Sequence, residues 1–171
     1  YFHLPQFVAA LGDGIVNLTG NYKDITHYEL TGNLESINLN NIYSIIGQSS
    51  RINGLLKTGH INIEMDGNHL HPAPVIFIMI ELENGSIDDI QFNNLILSAS
   101  YRNHRMLVNN FLLETQLGSI RGDGWFNYGF LRSDPKFSEQ NKIDLSFYFE
   151  NINIVKFNRY LPWGLETRGL I

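Results

Sequence analysis

Residues 75–101 read VIFIMIELENGSIDDIQFNNLILSASY, and this stretch decides the fold class. Val75-Ile76-Phe77-Ile78-Met79-Ile80 is apolar at both parities, the pattern of a strand covered on both faces or bordering another subunit. The run is far shorter than the roughly 20 residues that span a bilayer. Asn84-Gly85 follows, a dipeptide favoured in tight hairpins because both central positions adopt positive φ. Leu95, Leu97, Ala99 and Tyr101 then alternate with polar residues, the period of a half-buried strand. Short connections between such runs imply antiparallel pairing.

The same period extends outward in both directions. Tyr28, Leu30, Gly32 and Leu34 alternate upstream, as do Ile61, Ile63 and Met65. Downstream come Leu107, Phe111, Leu113 and Leu117, then Ile143, Leu145, Phe147 and Phe149. Asp66-Gly67 marks a second hairpin, while Gly12-Asp13-Gly14 and Gly122-Asp123-Gly124 mark turns, bulges or flexible strand points. Residues 132–141 contain Ser133-Asp134-Pro135 and read as an exposed loop. About nine to eleven strands are expected. Two short helices interrupt them. Ile42, Ile45 and Ile46 have helical spacing after the capping candidates Asn38 and Asn40, and Gly47 ends that turn. Phe157, Tyr160 and Leu161 repeat the spacing before Pro162.

Composition narrows the function classes. The 171 residues are 43% hydrophobic but only 17% charged, against roughly 25% in ordinary soluble domains. A net charge of -5 argues against a phosphate-tracking surface, so no nucleic-acid partner is expected. Cysteine is absent, which removes disulfides, thiol nucleophiles and cysteine metal sites. The chain opens on Tyr1 and reads as part of a longer protein.

An internal repeat organises the chain. Residues 30–56 align with residues 145–171 without a gap, at an offset of 115 (150 − 35). Leu30, Glu35, Ile37, Asn38, Gly54 and Leu55 meet Leu145, Glu150, Ile152, Asn153, Gly169 and Leu170. Upstream, Gly14, Gly20 and Tyr22 align with Gly118, Gly124 and Phe126 at an offset of 104 (118 − 14). The loop at Leu131 to Asn141 accounts for the difference. The expected organisation is a lead-in at 1–11, one full unit at 12–144 and the start of the next at 145–171. Units of this kind stack and share a continuous apolar surface.

Catalytic chemistry finds little support. His69 and His71 share a strand parity and would need His60 or Glu64 to complete a metal site, but they read better as an exposed polar stretch. Asp88 and Asp89 point to opposite faces of a strand and suit a turn after Gly85. Gly12-Asp13-Gly14 lacks the third glycine of a dinucleotide fingerprint, and no serine sits in a nucleophile elbow. Asn17-Leu18-Thr19 and Asn84-Gly85-Ser86 match the glycosylation sequon, which matters only in a eukaryotic secretory setting. Trp125 and Trp163 sit beside turn glycines, as groove-rim or packed aromatics. Arg102, His104 and Arg105 form the only basic cluster, suited to a solvated turn or to a lipid phosphate. No catalytic residue, metal or cofactor is expected.

One family shares this layout. A strand and short helix lead to Gly54-Leu55, a strand through Ile61 and Ile63, then Gly67, Pro72 and Pro74. Thr115, Gly118, Ile120 and Gly124 form a second pattern. Over residues 12–171 the chain resembles the AsmA-like repeats of the TamB family, the inner-membrane subunit of the bacterial translocation and assembly module. The resemblance rests on glycine spacing and strand pattern. It implies an all-β, open and strongly curved antiparallel sheet, a β-taco, with one or two very short helices. It further implies a periplasmic segment of an inner-membrane-anchored protein, phospholipid acyl chains in an apolar groove, and an outer-membrane barrel partner engaged through regions outside this segment. A role in outer-membrane protein assembly is also implied.

Strand parity then gives a groove lining: Leu30, Leu34, Ile61, Ile63, Ile76, Ile78, Ile80, Leu95, Leu97, Leu107, Phe111, Leu113, Ile120, Phe126, Leu145, Phe147 and Phe149. A bulge would invert the parity within any one strand. Two other readings fit the same pattern. One is a structural or adhesive β-sandwich repeat with a sealed core; the other is a chaperone-like scaffold whose free edge takes up outer-membrane β-strands.

Overall fold

A computed structural model describes residues 2–24, 27–46, 51–66, 74–102, 105–127 and 142–152. Nine strands follow one another: β1 (Phe2–Leu11), β2 (Gly14–Asp24), β3 (His27–Asn38), β4 (Ile52–Asp66), β5 (Val75–Ile87), β6 (Ile90–Arg102), β7 (Arg105–Thr115), β8 (Gly118–Asn127) and β9 (Ile143–Glu150). One helix, α1 (Leu39–Ile46), lies between β3 and β4. The strands form a single sheet in sequence order, every neighbouring pair antiparallel. It is an open meander, with β1 and β9 at its two edges. The chain is all-β, as the period-two alternation requires.

Three hairpins close at one end of the sheet through two-residue turns. Leu11 pairs Gly14 across Gly12-Asp13, where Gly12 takes the positive φ of 61° that such a turn requires. Ile87 pairs Ile90 across Asp88-Asp89, and Thr115 pairs Gly118 across Gln116-Leu117. The Thr115 hydroxyl fixes the last turn, donating to the Gly118 carbonyl (2.9 Å) and accepting from the Leu117 N–H (3.0 Å).

Asn84-Gly85 does not make the hairpin its sequence suggests. Against β4, Asn53 faces Ser86 and Leu55 faces Glu83, so β5 carries one extra residue between Glu83 and Ser86, where Asn84 takes φ 50°. The dipeptide's taste for positive φ is satisfied within a strand, and Asp88-Asp89 makes the turn instead. Asp88 takes φ 51°, and its N–H bonds the Arg51 carbonyl at 2.6 Å. Gly122-Asp123-Gly124, read as a turn, a bulge or a flexible strand point, lies inside β8.

α1 begins where Asn38 Oδ1 accepts the Asn40 N–H at 3.0 Å, a local cap for the first turn. Its Leu39 and Ile42 pack against a cluster of Ile37, Leu56, Leu82, Phe92, Leu95, Leu113, Ile120 and Ile152. That cluster is the core, and it runs along the end of the sheet where the three turns and α1 sit. The second expected helix, the Asp66-Gly67 hairpin beyond Asp66 and the loop at 132–141 lie outside the described residues, as do Leu131, His69, His71, His104 and Trp163.

Candidate functional site

Residues directly opposed in an antiparallel pair share a face, so the pairing registers sort every strand residue to one side. One row crosses the sheet as Val16, Leu34, Gly59, Ile80, Leu97, Phe111, Gly122 and Phe147. The next runs Leu18, Gly32, Ile61, Ile78, Ala99, Val108, Gly124 and Leu145. A third runs Gly20, Leu30, Ile63, Ile76, Tyr101, Met106, Phe126 and Ile143. Toward α1 the row is Ile37, Leu56, Leu82, Leu95, Leu113, Ile120 and Phe149. No charged side chain enters these four rows.

Sixteen of the seventeen residues chosen by parity lie on this face. Leu107 does not. In β7, Leu97 faces Phe111 and Ser98 faces Asn110, but Ala99 already faces Val108. Asn109 is therefore an extra residue, and the parity of β7 reverses before it. Met106 and Val108 turn to the apolar face, while Leu107 points the other way beside Trp125, 41% exposed. Sequence parity also passes over Val16, Leu18, Ala99, Tyr101, Met106, Val108 and Ile143. Of these, only Ala99, Tyr101 and Ile143 stand in an alternating run that a longer choice would have taken in.

The opposite face carries the sheet's polar side chains, interspersed with Phe77, Met79, Ile96, Leu112 and Trp125. Most of its polar groups are paired, while Asn17 Oδ1 and Asn94 Oδ1 are buried without a partner. Asn33 Oδ1 contacts His60 Nδ1 at 2.8 Å, and the Thr31 hydroxyl donates to Asn62 Oδ1 at 3.3 Å. Asn62 in turn donates to Glu64 at 2.8 Å. Lys57 donates to both Glu83 (2.8 Å) and Glu81 (3.1 Å). The Glu83 hydrogen bond, then the Glu81 one, raises the Lys57 pKa above its ordinary 10.5. His60 and Glu64 are thus engaged within the sheet, and no group of three potential metal ligands occurs among the described residues. Arg105 lays its guanidinium 4.2 Å from the Trp125 ring centre on this polar face, rather than at the margin of the apolar one.

Cover over the apolar face is uneven. Near α1 it is sealed: Ile37 is 0% and Ile152 2% exposed. Away from α1, Ile76, Ile78, Ala99, Tyr101 and Met106 line an apolar cavity of about 350 Å³. On β9 the apolar side chains stand open, Phe147 50% and Phe149 45% exposed, with the Phe111 ring edge-on to Phe147 at 6.5 Å. The face combines a floor without charge, a sealed margin and an accessible remainder. Such a surface has the chemistry to hold a flexible hydrocarbon. No described helix is long and apolar enough to cross a membrane. No family model, curated protein or solved structure matches this chain.

Proposed function

We propose that the apolar face is a lipid trough, a segment of a hydrophobic conduit that carries phospholipid acyl chains along the sheet. The carrying observation is a continuous uncharged surface crossing from β2 to β9 while, among the described residues, one helix covers only its margin. A sheet with an apolar face must cover it, and what α1 leaves open calls for an apolar occupant. Each methylene entering gains about 0.8 kcal/mol, so roughly eight would gain about 6 kcal/mol before ordering costs. Binding on that scale extracts a chain yet lets it slide, because no polar group pins it.

The resemblance to the TamB family agrees with this reading and supplies its setting. In that setting the segment is periplasmic, tethered to the inner membrane elsewhere, and works with an outer-membrane barrel protein in outer-membrane biogenesis. The mechanism is passive: acyl chains lie on the uncharged rows while head groups stay wet at the open margin. A sealed sandwich is less well supported, since it calls for two packed layers where the described strands make one sheet.

Native mass spectrometry with lipid extraction tests the reading, comparing the parent with an Ile78→Arg, Phe111→Arg variant. Phospholipid carried by the parent and lost from the folded variant is the expected result. A folded parent that carries no lipid and resists a photo-crosslinkable phospholipid sinks it.

A further inference from the structure

The strongest unexplained feature is the apolar exposure of β9, and the internal repeat accounts for it. The hairpin β8–β9 reproduces β2–β3 pair by pair. Gly20 faces Leu30 and Val16 faces Leu34; at the repeat offsets, Gly124 faces Leu145 and Ile120 faces Phe149. The backbones agree in an unusual detail, since Ser36 and its counterpart Asn151 both take positive φ, at 54° and 55°. Few residues other than glycine adopt that region. The glycines agree as well. A Cβ on Gly14 would meet the Ser36 carbonyl oxygen at 2.7 Å, and one on Gly118 would meet that of Asn151 at 2.7 Å. Ile37 and Ile152, which follow the two positive-φ residues, are the two most deeply buried side chains of the core.

The two copies differ in what lies next to them. β3 is flanked by β4, which sets Ile63, Ile61 and Gly59 against Leu30, Gly32 and Leu34. Among the described residues, no strand flanks β9 on that side. Its matching positions are Leu145, Phe147 and Phe149, and the two phenylalanines are the exposed ones. We infer that the outer edge of β9 is a half-site for a β4-type strand, paired antiparallel in the register that β4 holds on β3. The occupant is the β4 equivalent of a further unit of the same repeat. A second copy of this chain offering its β1 edge does not fit. At the repeat offset β1 stands where β7 stands, beside β8 rather than beside β9. The inference is independent of any lipid, because it rests on register alone.

The test extends the full chain by ten residues, copying Lys57–Asp66 after Ile171. By the repeat, residues 166–171 already correspond to residues 51–56, so the copy completes a β4-type strand. Hydrogen exchange followed by NMR is expected to slow about ten-fold or more at alternate amides of Ile143–Glu150, with β1 unchanged. The chain has no cysteine, so a disulfide reads the register cleanly. Phe147→Cys should link to a cysteine replacing the copied Ile61, and not to one replacing the copied Asn62. Unchanged exchange in β9, protection of β1 instead, or a linkage one residue out of step overturns the proposal. Should the extended chain not fold, a free peptide of residues 51–66 added to the unmodified chain gives the same readout, and no β9 protection there overturns it as well.

Discussion

At the residue scale, the two leucines of β7 separate burial from parity. Leu113 lies in the core at 6% exposure, and Leu107 lies on the polar face. Leu113→Ala should cost about 3 kcal/mol of unfolding free energy in urea denaturation, the transfer loss plus a cavity. Leu107→Ala should cost under about 1 kcal/mol and leave any bound lipid unchanged, because the side chain leaves no cavity and faces away from the trough. Equal losses would mean that the bulge at Asn109 is misplaced. Lys57 gives a pH signature of known sign. Its pKa is raised in the folded chain by Glu83 and Glu81, so its contribution is complete below the ordinary 10.5 and fades as pH rises through the folded value. Lys57→Met should therefore flatten the alkaline end of the stability–pH profile and remove a small contribution across the neutral range, where it is complete in the parent. The ammonium is exposed, so the effect is small.

At the element scale, β7 explains what can and cannot be read from sequence. The strands, the turn at Gly12-Asp13 and the short helix at Ile42 were legible, because alternation, glycine placement and helical spacing are local patterns. The bulges were not, since an extra residue costs one unpaired position and leaves little compositional trace. Asn109-Asn110 gives no sign that it reverses parity, and Asn84-Gly85 carries a turn signal that the fold uses inside a strand. The apolar face was thus legible strand by strand, except where a bulge intervened. Deleting Asn109 should remove the extra residue and leave the pairs on either side as they are, with Val108 and Met106 still on the apolar face and Leu107 on the other. Cross-strand NOEs between Met106 and Tyr101 and between Val108 and Ala99 should therefore persist in the deletion variant, keeping Met106 in the apolar cavity at Ile76 and Ile78. NOEs from residue 107 to Tyr101 in place of Met106 would contradict the assignment.

At the scale of the whole molecule, the two edges are guarded differently. β1 carries Pro5 within a register shift between Leu4 and Phe7, an edge that another strand cannot follow far. β9 has no proline and presents Phe147 and Tyr148 openly. Pro5→Val should raise concentration-dependent self-association through β1 in sedimentation velocity, while parent association, if present, should run through β9. No change on replacing Pro5 would remove its protective role. The repeat between β2–β3 and β8–β9 was legible in the glycines and in Ile37 and Ile152. Its register was not, because only paired strands display it.

The strand order has a mechanical consequence. Each strand pairs only with its neighbours in sequence, so no strand waits for a distant partner and closure distances stay short. A chain that becomes free to fold from its N-terminus onward can add strands in turn, each onto a template already laid. Load applied between the first and last strands meets the ladders end-on, opening one row of hydrogen bonds at a time. Such a sheet peels stepwise at low force from its margins, and its middle strands, β4 to β6, are the last to yield.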